Sequence, residues 1–143
     1  MIKLTLLFTF LVLTSSGLYA KPSSSESNAT CPVRAEYVYS DLNNLWGYVK
    51  NYPRSSAKDA IYTTTDFAGV YSSLMRRMPG REDRTRGIYL ELRDRFNYMY
   101  DRATRYPWQD AAIYNTLEIS KRDMIYLSRC YPSWLESNNL PSM

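Results

Sequence analysis

The chain reads as an all-α protein: a four-helix up-down bundle of two helical hairpins, closed by one disulfide. Three observations carry this. Apolar residues recur at helical spacing in four long segments. No segment alternates with period two or carries a hairpin turn signal, so essentially no sheet is expected. Two cysteines, Cys31 and Cys130, bracket the four segments.

Residues 1–20 have the pattern of a secretory signal peptide. Lys3 gives a positive start, Leu4 to Leu13 an apolar run, and Thr14 to Ala20 a small-residue cleavage region. The run is far short of the ~20 residues that cross a bilayer, and no later segment is apolar enough to span, so no stable membrane insertion is expected after cleavage. Residues 21–30 form a Ser-rich arm expected to be disordered. Asn28-Ala29-Thr30 is the glycosylation sequon. Residues 31–136 are expected to form one helical domain, with Trp134 and Leu135 as late apolar anchors, and 137–143 a frayed tail.

The first helix is expected over Arg34–Tyr52, with Ala35, Val38, Tyr39, Leu42, Leu45, Trp46, Val49 and Tyr52 on one face. Pro53 ends it. The second is expected over Ala57–Met78, with Ser56 as N-cap and Asp59 three residues on. Its stripe is Ala57, Ala60, Ile61, Thr64, Phe67, Ala68, Tyr71, Leu74, Met75 and Met78, and Pro79-Gly80 stops it. The third is expected over Glu82–Arg105. Ile88, Leu92, Phe96, Met99 and Ala103 form its stripe, and Glu82 and Asp83 suit the positive end of the helix dipole. The fourth is expected over Pro107–Tyr131. Ala112, Ile113, Thr116, Leu117, Ile119, Met124, Tyr126, Leu127, Cys130 and Tyr131 cover about half its circumference. Ser120 and Asp123 could restart a helix there, with a kink near Ile119.

Short turns favour antiparallel neighbours. Up-down winding brings the start of the first helix and the end of the fourth to one end, where the two cysteines lie. An even cysteine count in an exported chain argues for one disulfide. Tyr52-Pro53 and Tyr106-Pro107 precede similar helix starts, which suggests two related hairpins.

The functional reading begins with an absence. The sequence of 143 residues contains no histidine. The commonest general base and transition-metal ligand is therefore missing. A disulfide would remove both thiols. There is no phosphate loop, zinc spacing or EF-hand pattern. The carboxylates Glu91, Asp94 and Asp101 are better explained as partners of neighbouring arginines than as an acid–base pair. No enzyme activity, cofactor or metal is expected.

Loss of residues 1–20 leaves 17 basic and 14 acidic side chains, a net charge of +3. The densest charge feature is Arg76, Arg77, Arg81, Arg84 and Arg86 against Glu82 and Asp83. It is placed at the turn between the second and third helices, at the end away from the disulfide. Arginine suits bidentate contact with sulfate, phosphate or carboxylate. Tyr48, Tyr62, Tyr98 and Tyr114 fall off or at the margins of the stripes and are the candidate aromatic contact groups. The resulting expectation is a secreted, non-enzymatic binding protein whose partner is an extracellular protein or glycan, and not nucleic acid. Two alternatives accompany it. One is a carrier of a small apolar ligand among Met75, Met78, Phe96, Met99 and Met124. The other is polyanion or anionic-membrane binding through Arg76–Arg86.

Overall fold

The computed structural model describes residues 29–131. The expected signal peptide, most of the Ser-rich arm with Asn28, and the end of the chain with Trp134 and Leu135 lie outside the described residues. Within them are four helices and no strand: α1 (Cys31–Val49), α2 (Ser56–Arg77), α3 (Glu82–Arg105) and α4 (Ala111–Ser128).

Every helix contributes a seam of buried residues whose steps alternate between three and four. The seams run through Ala35, Val38, Leu42, Leu45 and Val49 on α1, and Ala57, Ile61, Thr64, Ala68, Tyr71 and Met75 on α2. On α3 the seam is Thr85, Tyr89, Leu92, Phe96, Met99 and Ala103. On α4 it is Ile113, Leu117, Ser120, Met124 and Leu127, continued by Tyr131. A repeat of 3.5 residues is narrower than a general amphipathic face and suits helices that lie nearly along one another.

That narrowness corrects several expectations. Tyr39 is 37% exposed and Ile119 39% exposed, although both were assigned to core stripes. On α3, Tyr89 takes the fully buried position and Ile88 only packs against the core. The broad apolar arc expected of α4 is absent. Its buried face includes Ser120, Asp123 and Ser128. The two serine hydroxyls donate to carbonyls of their own helix, at Leu117 and Ile125. Ser120 therefore caps nothing, and α4 continues through Ile119 without a restart.

The helix ends also shift for local reasons. α1 starts three residues early because Pro32 stands in the first turn, where a missing N–H is harmless. The N-cap of α2 is Ser55, not Ser56; its Oγ accepts from Lys58 N at 3.1 Å. α3 runs over the expected residues. α4 begins at Ala111 rather than Pro107, because Asp110 caps it by accepting from Ala112 N at 2.9 Å. The residues before it form a plug. The Trp108 ring is buried and its Nε1 donates to the Ala103 carbonyl at 2.7 Å.

α1 packs against α2 and α4, and α2 packs against α3. The α3–α4 contact is slight by comparison. Those two helices are linked by longer side chains. Tyr100 donates to Glu118 Oε1 at 2.5 Å, and Lys121 Nζ lies 5.0 Å from the Tyr100 ring centre. The second expected hairpin is thus loosely packed, and α4 lies chiefly on α1.

Cys31 and Cys130 form the disulfide, 99 residues apart in sequence. Arg34 reinforces the junction, donating to the carbonyls of Ala29 and Tyr126 at 2.9 and 2.8 Å. Tyr131, next to Cys130, reaches Tyr71 on α2 and Thr85 on α3 through its hydroxyl. Those contacts fix the location of the α2–α3 turn. The arginines from 76 to 86 lie at the disulfide end of the molecule, not at the far end as expected. Arg76 Nη1, near the end of α2, comes within 3.6 Å of Glu36 in the early part of α1. Near the α1–α2 turn, Tyr52 of the first Tyr-Pro pair meets the residues that follow the second. The Tyr52 ring packs edge-on against Trp108 at 4.9 Å, and its hydroxyl accepts from Gln109 N at 3.3 Å.

Candidate functional site

The seams leave one flank of α1 and one flank of α2 facing outward beside each other. Tyr39 and Trp46, seven residues apart, lie on that flank of α1. Tyr62, Asp66, Gly69, Val70, Ser73 and Arg77 follow at helical spacing along α2. Together they line an open groove of about 640 Å³, with Arg76 and Arg77 at its end.

Its floor is set by one glycine. A Cβ at Gly69 would lie 2.9 Å from Tyr39 Cε1, so the absence of a side chain lets the Tyr39 ring lie on the α2 backbone. At the other end Trp46 and Tyr62 meet at 5.1 Å with their planes 62° apart, an edge-to-face pair. Lys58 Nζ lies 5.7 Å from the Trp46 ring centre, within cation–π range. Val70 is 58% exposed and Tyr62 54% exposed, so the groove presents apolar surface to solvent. Asp66 is its acidic lining residue. Arg76 shares its charge with Glu36 through a solvent-exposed pair, which holds it only weakly.

The structure thus brings three of the expected contact residues, Tyr62, Arg76 and Arg77, to one surface. It adds Tyr39 and Trp46, which fall on the expected core stripe of the first helix, and Val70, which lies off the stripe of the second. A strict seven-residue reading of the α1 seam would have left Tyr39 and Trp46 on its flank. The other candidates lie elsewhere. Arg81 pairs with Asp83 at 4.0 Å, Arg84 is exposed and Arg86 half-buried. Tyr48 is exposed on α1 but does not line the groove. Tyr98, on α3, stacks under the Arg102 guanidinium at 4.5 Å and borders a second groove with Glu91, Asp94 and Arg95. Tyr114 is half-buried. Its hydroxyl donates to the Tyr106 carbonyl at 2.6 Å and accepts from Trp108 N at 2.9 Å, which commits it to the α3–α4 connection.

The carboxylates considered for acid–base chemistry are paired with neighbouring arginines: Glu91 with Arg95 at 3.1 Å, Asp94 with Arg93 at 3.2 Å, and Asp101 with Arg105 at 2.9 Å. Among the described residues, no three His, Cys, Asp or Glu side chains gather as metal ligands would. The perturbed titrations belong to tyrosines, three of them buried and Tyr100 partly buried. Burial pushes the Tyr71 hydroxyl well above the usual tyrosine range, with Tyr131 beside it adding to the effect. Burial raises Tyr89 and Tyr131 as well. Tyr100 is pushed up to about 12 by burial and by its hydrogen bond to Glu118. These hydroxyls stay protonated at neutral pH and act as structural groups.

No family model, curated protein or solved structure matches this chain.

Proposed function

We propose that the chain is a secreted, non-enzymatic binding protein that grips an extracellular macromolecule in the α1–α2 groove. One observation carries the reading: exposed Tyr39, Tyr62 and Val70 share one open surface with Arg76 and Arg77. Aromatic side chains and arginine are the groups that dominate binding energy at protein interfaces. The partner that suits them is a protein segment with an apolar side chain beside an acidic group. The apolar group would lie over Tyr39 and Val70, and the acidic group would meet Arg77, with a second contact if Arg76 leaves Glu36. The up-down winding of the helices belongs to the same reading, supported by the meeting of Tyr131 with Tyr71 and Thr85 at one end and of Tyr52 with Gln109 near the other turn.

The reading is tested by capture from extracellular fluid of the source organism with the mature protein and two variants. Val70→Asp introduces a charge into the groove, and Tyr98→Ala removes an exposed aromatic outside it. Saturable capture by the parent and by Tyr98→Ala, lost in Val70→Asp, supports the groove. Equal capture by all three excludes it.

Full burial of Met75, Phe96, Met99 and Met124 in the common core favours close packing over an enclosed ligand. For the polyanion reading, retention on heparin is the direct measure. It should fall in Arg76→Ser/Arg77→Ser/Arg81→Ser if these arginines act together, and stay unchanged if the groove recognises a specific segment.

A further inference from the structure

The nine residues from Arg76 to Arg84 include none that is buried. Met75 and Thr85, which flank them, are both at 0% exposure. Arg76, Arg77, Arg81 and Arg84 are all exposed within this stretch. The turn itself is held by backbone bonds, Met78 N to Leu74 O and Arg81 N to Met78 O, at 3.2 and 3.1 Å. Gly80 sits there at φ +74°.

The other two connections are tied down by side chains. Lys58 Nζ clamps the α1–α2 connection, donating to the carbonyls of Lys50 and Tyr52 at 2.6 and 2.8 Å. The Tyr114 hydroxyl and the Trp108 indole clamp the α3–α4 connection. Among the described residues, no side-chain hydrogen bond reaches Met78, Pro79 or Gly80. A protease needs several residues in extended form, and the cost of presenting them is the local opening free energy. That cost is lowest where no buried group must be withdrawn.

We propose that the Arg77–Glu82 turn is a processing site for an arginine-directed serine protease. Water adds across the Arg–X peptide bond: the acyl carbon takes the hydroxyl and the following nitrogen takes the hydrogen. Nothing is oxidised or reduced. Cys31 lies before the cut and Cys130 after it, so the disulfide joins the two products, one holding α1 and α2 and the other α3 and α4. The buried residues on both sides of the cut stay in place, and the two-chain form remains folded. This inference does not depend on what occupies the α1–α2 groove.

The test is limited trypsin digestion of the native, disulfide-intact protein. The first product should run as one species without reductant and as two with it, with a new amino terminus at Met78 or Glu82 and an unchanged helical circular-dichroism spectrum. Arg76→Gln/Arg77→Gln/Arg81→Gln, all at exposed positions, should slow that first cut by at least roughly tenfold. A first cut after Lys50, Arg54 or Arg105 overturns the proposal. So does loss of helicity on cutting, or an unaltered rate in the triple variant.

Discussion

The hydroxyls of Tyr131 and Tyr71 lie 2.5 Å apart, although the two residues are separated by 60 positions in the chain. Tyr131 also meets Thr85 Oγ1 at 2.7 Å, and its ring stacks on Tyr89 at 4.3 Å. One side chain thus joins α2, α3 and the residue that follows Cys130. The disulfide and the hydroxyl network secure the same end of the molecule by independent chemistry.

Tyr131→Phe keeps the stacked ring and removes the hydroxyl, leaving two buried partners short of a hydrogen bond. The expected loss is about 1–3 kcal/mol in denaturant unfolding. Tyr71→Phe combined with Tyr131→Phe should cost less than the two single losses together, because each removes the same bond. Strict additivity in that double-mutant cycle would show that the hydroxyls are not coupled.

The same network sets a limit at high pH. Tyr71, Tyr89 and Tyr131 are all raised from their ordinary value of 10.0. In the unfolded chain these groups lose protons near pH 10, while the folded protein keeps them. Their contribution is therefore complete below pH 10 and is lost as the pH climbs beyond it. Stability should decline by about 1.4 kcal/mol per pH unit for each tyrosine still protonated in the fold. Urea midpoints measured from pH 8 to 12 test this. A midpoint that stays level across that range would refute it.

Replacing both cysteines by serine opens a loop spanning 99 residues. On the chain-entropy account the disulfide contributes about 4–5 kcal/mol, so the variant should unfold at a much lower urea concentration. Because Tyr131 still anchors its hydroxyl to Tyr71 and Thr85, the far-ultraviolet spectrum should remain helical in the absence of denaturant.

Two glycines should respond differently to alanine. At Gly69 the new methyl meets only the end of the partly exposed Tyr39 ring, which can swing outward, while helix propensity improves by about 1 kcal/mol. Stability should change little, and any partner of the groove should bind more weakly. At Gly80 there is open space but φ is +74°, so Gly80→Ala should cost about 1–2 kcal/mol. Thermal melts of the two variants separate a steric effect from a backbone one.

Parts of the fold were legible in advance because they depend on local chemistry. Pro79-Gly80 and the acidic pair Glu82-Asp83 mark the start of α3, Tyr106-Pro107 follows its last residue, and both ends match expectation. Capping was less legible. Ser55 and Ser56 are equivalent in composition, and which one caps α2 depends on the direction in which the chain leaves the Lys58-clamped turn. Asp110 is the cap in the structure, but Tyr106-Pro107 offers an earlier helix start in the sequence. Yet Trp108 is drawn into the core beside Tyr52, and a helix cannot begin until the chain emerges from that plug.

The candidate site divides along the same line. Arginine density and surplus tyrosine can be counted in a sequence, but neighbourhood cannot. Tyr39 and Tyr131 were both assigned to apolar stripes, yet one is 37% exposed in the groove and the other is buried in a hydroxyl network. The number of helices, their approximate extents and the pairing of the two cysteines followed from periodicity, proline placement and an even cysteine count. Which flank of each helix faces solvent, which end carries the arginines, and whether α4 rests on α1 or α3 were decided by the tertiary structure. The physical reason is that a 3.5-residue seam buries only a narrow strip. The residues beside it are apolar enough to pass for core, and only packing against a particular neighbour determines whether they are covered.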